Sequence, residues 1–188
     1  MSTTSQAFGL RPAYSPMGIV RPVAMTIASG YSSNILQFQP VMINTDGTII
    51  KAVGTNTNSF VGTFMGVEFT DTDGRRRVSN KWTGATSATD IVAYVTTDPT
   101  IVYEIPSNAT LTVANIGEQA DFANVTSGST VTGLSTAMLD VASLSTSGSR
   151  NMRIVNIGNE ISNGAGDPYV IVQVQISEHQ FVANKVAF

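Results

Sequence analysis

Apolar residues along this chain recur in short bursts with a period of two, each ended by Gly, Asp, Asn or Pro. The clearest burst is residues 169–176, where Val170, Val172, Val174 and Ile176 share one face of a strand. Residues 40–43 and 48–53 flank Asn44-Thr45-Asp46-Gly47, and the Asp-Gly pair supplies the positive φ of a tight hairpin turn. Residues 60–69 and 75–82 form a second hairpin around Asp71-Thr72-Asp73-Gly74, with Gly62 and Gly66 marking bends or close backbone approach. In residues 19–27, Ile19, Val20, Val23, Met25 and Ile27 are interrupted by Pro22, which places that strand at an edge or a bulge. Residues 91–95 and 101–105 read as strands on either side of a turn at Asp98-Pro99, and 110–113 and 154–157 as short strands. Two stretches are less regular: 114–149, rich in Ser, Thr and Gly with room for one helical turn at 114–120, and the loop 159–168.

No segment sustains a helical period, and no repeat of fixed length appears. The expected fold is all-β, a compact β-barrel or β-sandwich of jelly-roll type. Residues 1–17 read as an extended N-terminal arm, because Pro12 and Pro16 hold their predecessors in extended geometry; residues 18–188 read as one β domain. Phe8, Leu10 and Tyr14 are spaced apolar side chains on that arm, which packs on its own barrel or reaches a neighbour. The apolar C-terminal residues 181–188 pack between subunits or on their own barrel.

Composition narrows the function. Charged residues make up only 12% of the 188, and the formal net charge is -3. That balance speaks against binding a phosphate backbone, so nucleic acid is not an expected partner. No apolar run approaches the length of a membrane helix, and the N-terminus lacks the pattern of a secretory signal, so a cytosolic, soluble protein with no membrane partner is expected. With few charges, copies repel one another weakly, which suits a protein that packs against neighbours.

Candidate chemistry is sparse. There is no Cys and one histidine, His179, next to Glu178; in a strand the two side chains diverge, and a structural or surface histidine is expected. One histidine without cysteine cannot build a common zinc site, and no Gly-x-Ser-x-Gly elbow surrounds a serine. Asp71-x-Asp73-Gly74 lacks the later positions of a calcium loop and reads as a turn. The glycines of Asn163-Gly164-Ala165-Gly166-Asp167 do not join a strand to a helix as a phosphate loop does. Neither a catalytic residue, a metal nor a cofactor is expected. The one charge cluster, Arg75-Arg76-Arg77 with Lys81, reads either as a basic patch for an acidic partner or as an edge strand whose charges block edge-to-edge pairing.

Four stretches carry a resemblance: Phe8-Gly9-Leu10-Arg11-Pro12-Ala13-Tyr14, Asp46-Gly47-Thr48-Ile49, Phe64-Met65-Gly66-Val67-Glu68-Phe69 and Ile176-Ser177-Glu178-His179-Gln180-Phe181. Together they resemble the small structural proteins of tailed bacteriophages, in particular capsid decoration (cement) proteins. The resemblance implies a virion protein on the capsid surface, assembled in the host bacterial cytoplasm. It also implies the major capsid protein and further copies of this chain, as a homodimer or homotrimer, for partners. It brings no catalytic residues. A head fibre, tail protein or receptor-binding module is the alternative. On this reading Phe8, Leu10, Arg11 and Tyr14 on the arm, with Arg75, Arg76 and Arg77, are the expected partner-binding residues.

Overall fold

The computed structural model describes residues 5–53, 59–147, 149–158 and 161–182. In it the alternating segments become strands: β1 Arg11–Tyr14, β2 Pro22–Met25, β3 Pro40–Ile43, β4 Ile49–Lys51, β5 Gly62–Asp71, β6 Arg76–Ser79, β7 Ala88–Thr96, β8 Val102–Pro106, β9 Gln119–Ala123, β10 Gly128–Ser129, β11 Leu134–Ser135, β12 Met138–Ser145, β13 Met152–Ile157 and β14 Ile171–Ile176. The only helical element among the described residues is a 3₁₀ turn at Val113–Asn115. The all-β class expected from the sequence is the class observed.

The first sheet runs β1-β8-β14-β13-β9-β12, and every named pair is antiparallel. Counting from β8 to β12 gives five alternating strands, so the first and last point the same way and can close only in parallel. That closure is the parallel bridge between Ser107 and Leu139, reinforced by Asn108 N donating to Leu139 O at 3.0 Å. β8 therefore offers one open edge to two partners end to end. β12 takes the Ser107 end, and β1 takes Val102 to Glu104. The interior holds Tyr103, Ile105, Phe122, Leu139, Ile154, Val172 and Val174. Val170, Val172, Val174 and Ile176 all point inward as the alternation predicts.

The second sheet runs β2-β7-β5-β3-β4, with β6 also on β5. Here too five antiparallel strands return on themselves: Ile49 N of β4 donates to Thr26 O, just past β2, at 2.8 Å. β5 serves β3 with its first residues and β6 with its last, and turns between them at Gly66. β2, with its proline, is the edge strand in the hydrogen-bonded order. Both predicted hairpins form, β3/β4 with Gly47 at φ 80° and β5/β6 with Gly74 at φ 77°. A second apolar cluster fills this barrel, centred on Phe64, Val95 and Trp82, the last edge-on to Phe69 with ring centroids 5.5 Å apart.

Between the clusters lies a buried polar junction. Gln39, Thr63 and Thr96 are fully buried. Leu36 N donates to Gln39 Oε1 at 2.9 Å, and Gln39 Nε2 donates to Val125 O at 2.9 Å. Thr63 N donates to Thr96 Oγ1 at 3.1 Å, and Thr96 Oγ1 and Tyr103 OH share a hydrogen bond of 3.0 Å. Burial pushes the Tyr103 phenol well above its usual pKa and keeps it neutral. A second tie is Gln180, whose side-chain amide accepts from Ile43 N at 2.7 Å and donates to Ile43 O at 3.1 Å.

Several expectations change. Of the two readings left open for the arm, residues 8–14 take the first and pack on the chain's own body. Leu10 is fully buried in the first core, and β1 is the stave that completes the wall beside β8. Residues 1–4 lie outside the described residues, as do 183–188. Residues 110–113 do not form a strand; Leu111 is buried, and Thr112 N bonds Asn115 Oδ1 at 2.9 Å to cap the 3₁₀ turn. The stretch 114–149 holds four strands, β9 to β12, whose hydroxyl-rich sequence hides buried apolar positions at Ala120, Phe122, Met138 and Leu139. The Asp98-Pro99 turn forms between β7 and β8 as expected, and it carries the chain from the second sheet to the first.

Two outcomes test this arrangement. Removing residues 1–14 is expected to abolish cooperative folding, and Leu10→Ala to cost about 2–5 kcal/mol in urea denaturation; a truncation that melts like the full chain contradicts the stave. At Gly62, φ is 151° and a Cβ would lie 1.6 Å from Thr96 O. Gly62→Ala is therefore expected to cost about 3 kcal/mol or more in the same assay.

Candidate docking surfaces

The arm residues named from the sequence separate by position. Leu10 is interior and unavailable to a partner. Arg11 lies on the outer side of β1, where Nη2 bonds Glu104 Oε2 at 2.5 Å, and its guanidinium stacks on Phe8 at 4.7 Å. Half-buried and paired, Arg11 and Phe8 fasten the stave to β8. Tyr14, by contrast, is exposed.

Directly after Tyr14 the sequence Ser15-Pro16-Met17-Gly18 forms a tight turn. Gly18 N donates to Ser15 O at 3.0 Å, and Pro16 supplies the fixed φ that such a turn needs at its second position. Ser15 is buried, and its hydroxyl ties the turn to the body: Met17 N donates to it at 3.2 Å, and it donates to Asp98 Oδ2 at 3.3 Å. Asp98 also accepts from Thr100 N at 2.8 Å and Thr100 Oγ1 at 2.7 Å. Those hydrogen bonds hold the Asp98 carboxyl below its usual pKa, so it stays ionised as an anchor. The turn presents Met17 at 80% exposure, followed by Ile19 at 82%. Sequence reasoning read residues 1–17 as an extended arm and 19–27 as a strand, so it did not single out Met17 or Ile19. The legible signal was a Ser-Pro-x-Gly turn carrying a large apolar residue at its tip.

Arg75, Arg76 and Arg77 do not pool their charge. Arg77 Nε meets Asp71 Oδ2 at 2.5 Å, and its Nη2 meets Asp73 at 3.1 Å. Arg76 meets Glu68 at 3.2 Å, and Arg75 lies 3.8 Å from Asp73. The guanidiniums hold the Asp71 and Glu68 carboxyls below their usual range, after the larger effects of the Thr72 amide and the Tyr94 hydroxyl respectively. This is a self-neutralised edge hairpin rather than a basic patch.

The residues weighed for chemistry serve the scaffold. His179 is fully buried; its Nδ1 accepts from Phe181 N at 3.1 Å, so the neutral ring carries its proton on Nε2. Glu178 turns away toward Ser149 Oγ. The Asn163 side chain replaces strand pairing, accepting from Ile171 N and donating to Ile171 O at 2.8 Å each, while Asp167 closes the loop on Gly164 N at 2.9 Å. Among the described residues no three His, Asp or Glu side chains converge as a metal site would require.

No family model, curated protein or solved structure matches the chain.

Burial pushes the His179 imidazole below its ordinary value, against weaker opposing effects of nearby carbonyls and Asp98. With the folded pKa below the unfolded value of about 6.5, the unfolded chain binds more protons as pH drops past 6.5. The stability present above 6.5 is therefore lost as pH falls toward the folded pKa. Urea midpoints of the wild type are expected to decline from pH 7 to pH 5.5, while those of His179→Gln stay level over that window; parallel declines would show that another group titrates.

Proposed function

We propose that this chain is a structural virion protein that binds the outer surface of a tailed-phage capsid and cements the shell at junctions between capsomers. The observation that carries the reading is the Ser15–Pro16–Met17–Gly18 turn. It is a rigid projection with Met17 and Ile19 at its crest, fixed to the body through Ser15 and Asp98. A large apolar side chain held in one place loses little conformational freedom on docking, which is how a small contact gains affinity. Met17 is unbranched and polarisable, so it fills sockets of irregular shape.

The remaining support is of a different kind. The four stretches quoted above resemble decoration proteins, and few uncompensated charges stand in the way of close packing. A protein of this kind performs no bond-making step. It occupies a junction, and occupying many equivalent junctions on one shell multiplies the effect of a modest contact.

Met17→Asp and Ile19→Asp change exposed side chains on the turn and are expected to leave the melting temperature within a few degrees of wild type. Mixed with capsids lacking the protein, each variant is expected to need at least about tenfold more protein for the same occupancy, roughly 1.4 kcal/mol of lost affinity. Wild-type occupancy by both variants would refute the turn as the contact, and wild-type protein that never binds capsids would refute the capsid reading.

A further inference from the structure

The outer face of the second sheet carries a feature of its own. Tyr94 on β7 lies opposite Gly66 on β5 and Ala24 on β2, and Tyr94 and Ala24 are exposed. Because Gly66 has no side chain, the face is hollow there, a shallow depression of about 390 Å³ lined mainly by Pro22, Met65, Tyr94 and Val78. Val78 stands 80% exposed beside it on β6. Apolar side chains thus take the outward positions where a solvated sheet face carries polar ones.

Exposed residues of opposite charge lie near the two ends of β7. Arg21 precedes Pro22, which pairs with Thr96 at the far end of β7. It is exposed and has no carboxylate partner among the described residues. Asp90 lies near the start of β7, exposed; its carboxylate accepts from the hydroxyls of Thr70 at 3.2 Å and Thr89 at 3.5 Å, and its backbone carbonyl accepts from Arg76 Nη1 at 2.7 Å. At about 3.3 Å per residue the two are roughly 20 Å apart, with Tyr94 near the midpoint. Between them the Arg76–Glu68 pair is neutral, and Tyr94 OH donates to Glu68 at 2.8 Å.

We propose that this face is a two-fold self-association surface on which a second copy of the chain docks, with the axis passing near Tyr94 and Gly66. A two-fold operation about that point sets Arg21 of each copy against the partner's Asp90 and lays apolar face on apolar face. Four strands at about 4.8 Å spacing and eight residues at about 3.3 Å outline roughly 500 Å² per copy in plan. The pair therefore buries on the order of 1,000 Å², at the lower bound for a specific interface. The dimer is accordingly weak and concentration-dependent. The inference does not rest on the capsid reading, and either can fail alone.

Sedimentation equilibrium of the full chain tests it. The wild type is expected to dimerise in the micromolar range. Val78→Lys, Arg21→Glu and Asp90→Lys are each expected to weaken the dimer at least about tenfold with little change in melting temperature. Mixing the Arg21→Glu and Asp90→Lys proteins restores association, because in the mixed pair both end contacts again join opposite charges. A wild type still monomeric at about 500 µM, well above the micromolar range, overturns the proposal, as does a dimer that all three variants leave intact. A mixture that fails to associate refutes the two-fold geometry. A monomeric wild type whose Val78→Lys variant loses capsid occupancy assigns the face to the shell instead and equally refutes self-association.

Discussion

Polar groups can be buried where two apolar clusters meet only if each finds its partner in one fixed geometry. The hydroxyl of Thr96 meets that condition. It accepts from the Thr63 amide of its own sheet and shares a hydrogen bond with Tyr103 of the other, at a place water does not reach. Gln39 spans the same junction, accepting from Leu36 and donating to Val125. An unmatched donor or acceptor here would cost about 1–3 kcal/mol, so the two barrels cannot slide or rotate past each other without breaking several such bonds together. That rigidity holds the Ser15 turn and the outer face of the second sheet in fixed relation.

The same accounting explains the topology. Five antiparallel staves close only in parallel, and a parallel closure of one bridge leaves part of the edge of β8 open. The first strand of the chain fills that opening and drives Leu10 into the interior. Residues that look like a flexible extension are thus among the most tightly held. Where the chain crosses from one barrel to the other it does so through short tight elements, among them the Asp98 turn, whose carboxylate anchors both its own loop and Ser15.

Much of this was legible in the sequence wherever local chemistry decides structure. Asp46-Gly47 and Asp73-Gly74 dictate hairpins, Pro22 dictates an edge, and the alternation from Val170 to Ile176 dictates which face is inside. What was not legible depends on partners remote in sequence. Nothing near Leu10 announces that β8 has a vacant edge, although the Arg11–Glu104 contact on it spans 93 positions of sequence. The strands between residues 119 and 145 are written largely in Ala, Ser and Asp, whose weak strand preference is overridden by burial of Phe122 and Leu139. The three arginines were visible as a cluster, but their neutralisation by Asp71, Asp73 and Glu68 follows from cross-strand register. The exposure of Val78 was hidden for the opposite reason: an apolar residue in a strand-rich sequence is presumed to face inward.

The account as a whole depends on the two barrels behaving as one body. Trp82, the only tryptophan, reports on the second core, and the amides of β14 report on the first. Equilibrium urea unfolding followed in parallel by Trp82 fluorescence and by hydrogen exchange of the β14 amides should give one coincident transition that splits when Tyr103→Phe and Gln39→Ala open the junction. Two separate transitions in the wild-type chain would contradict the claim that the buried junction makes the molecule a single rigid frame.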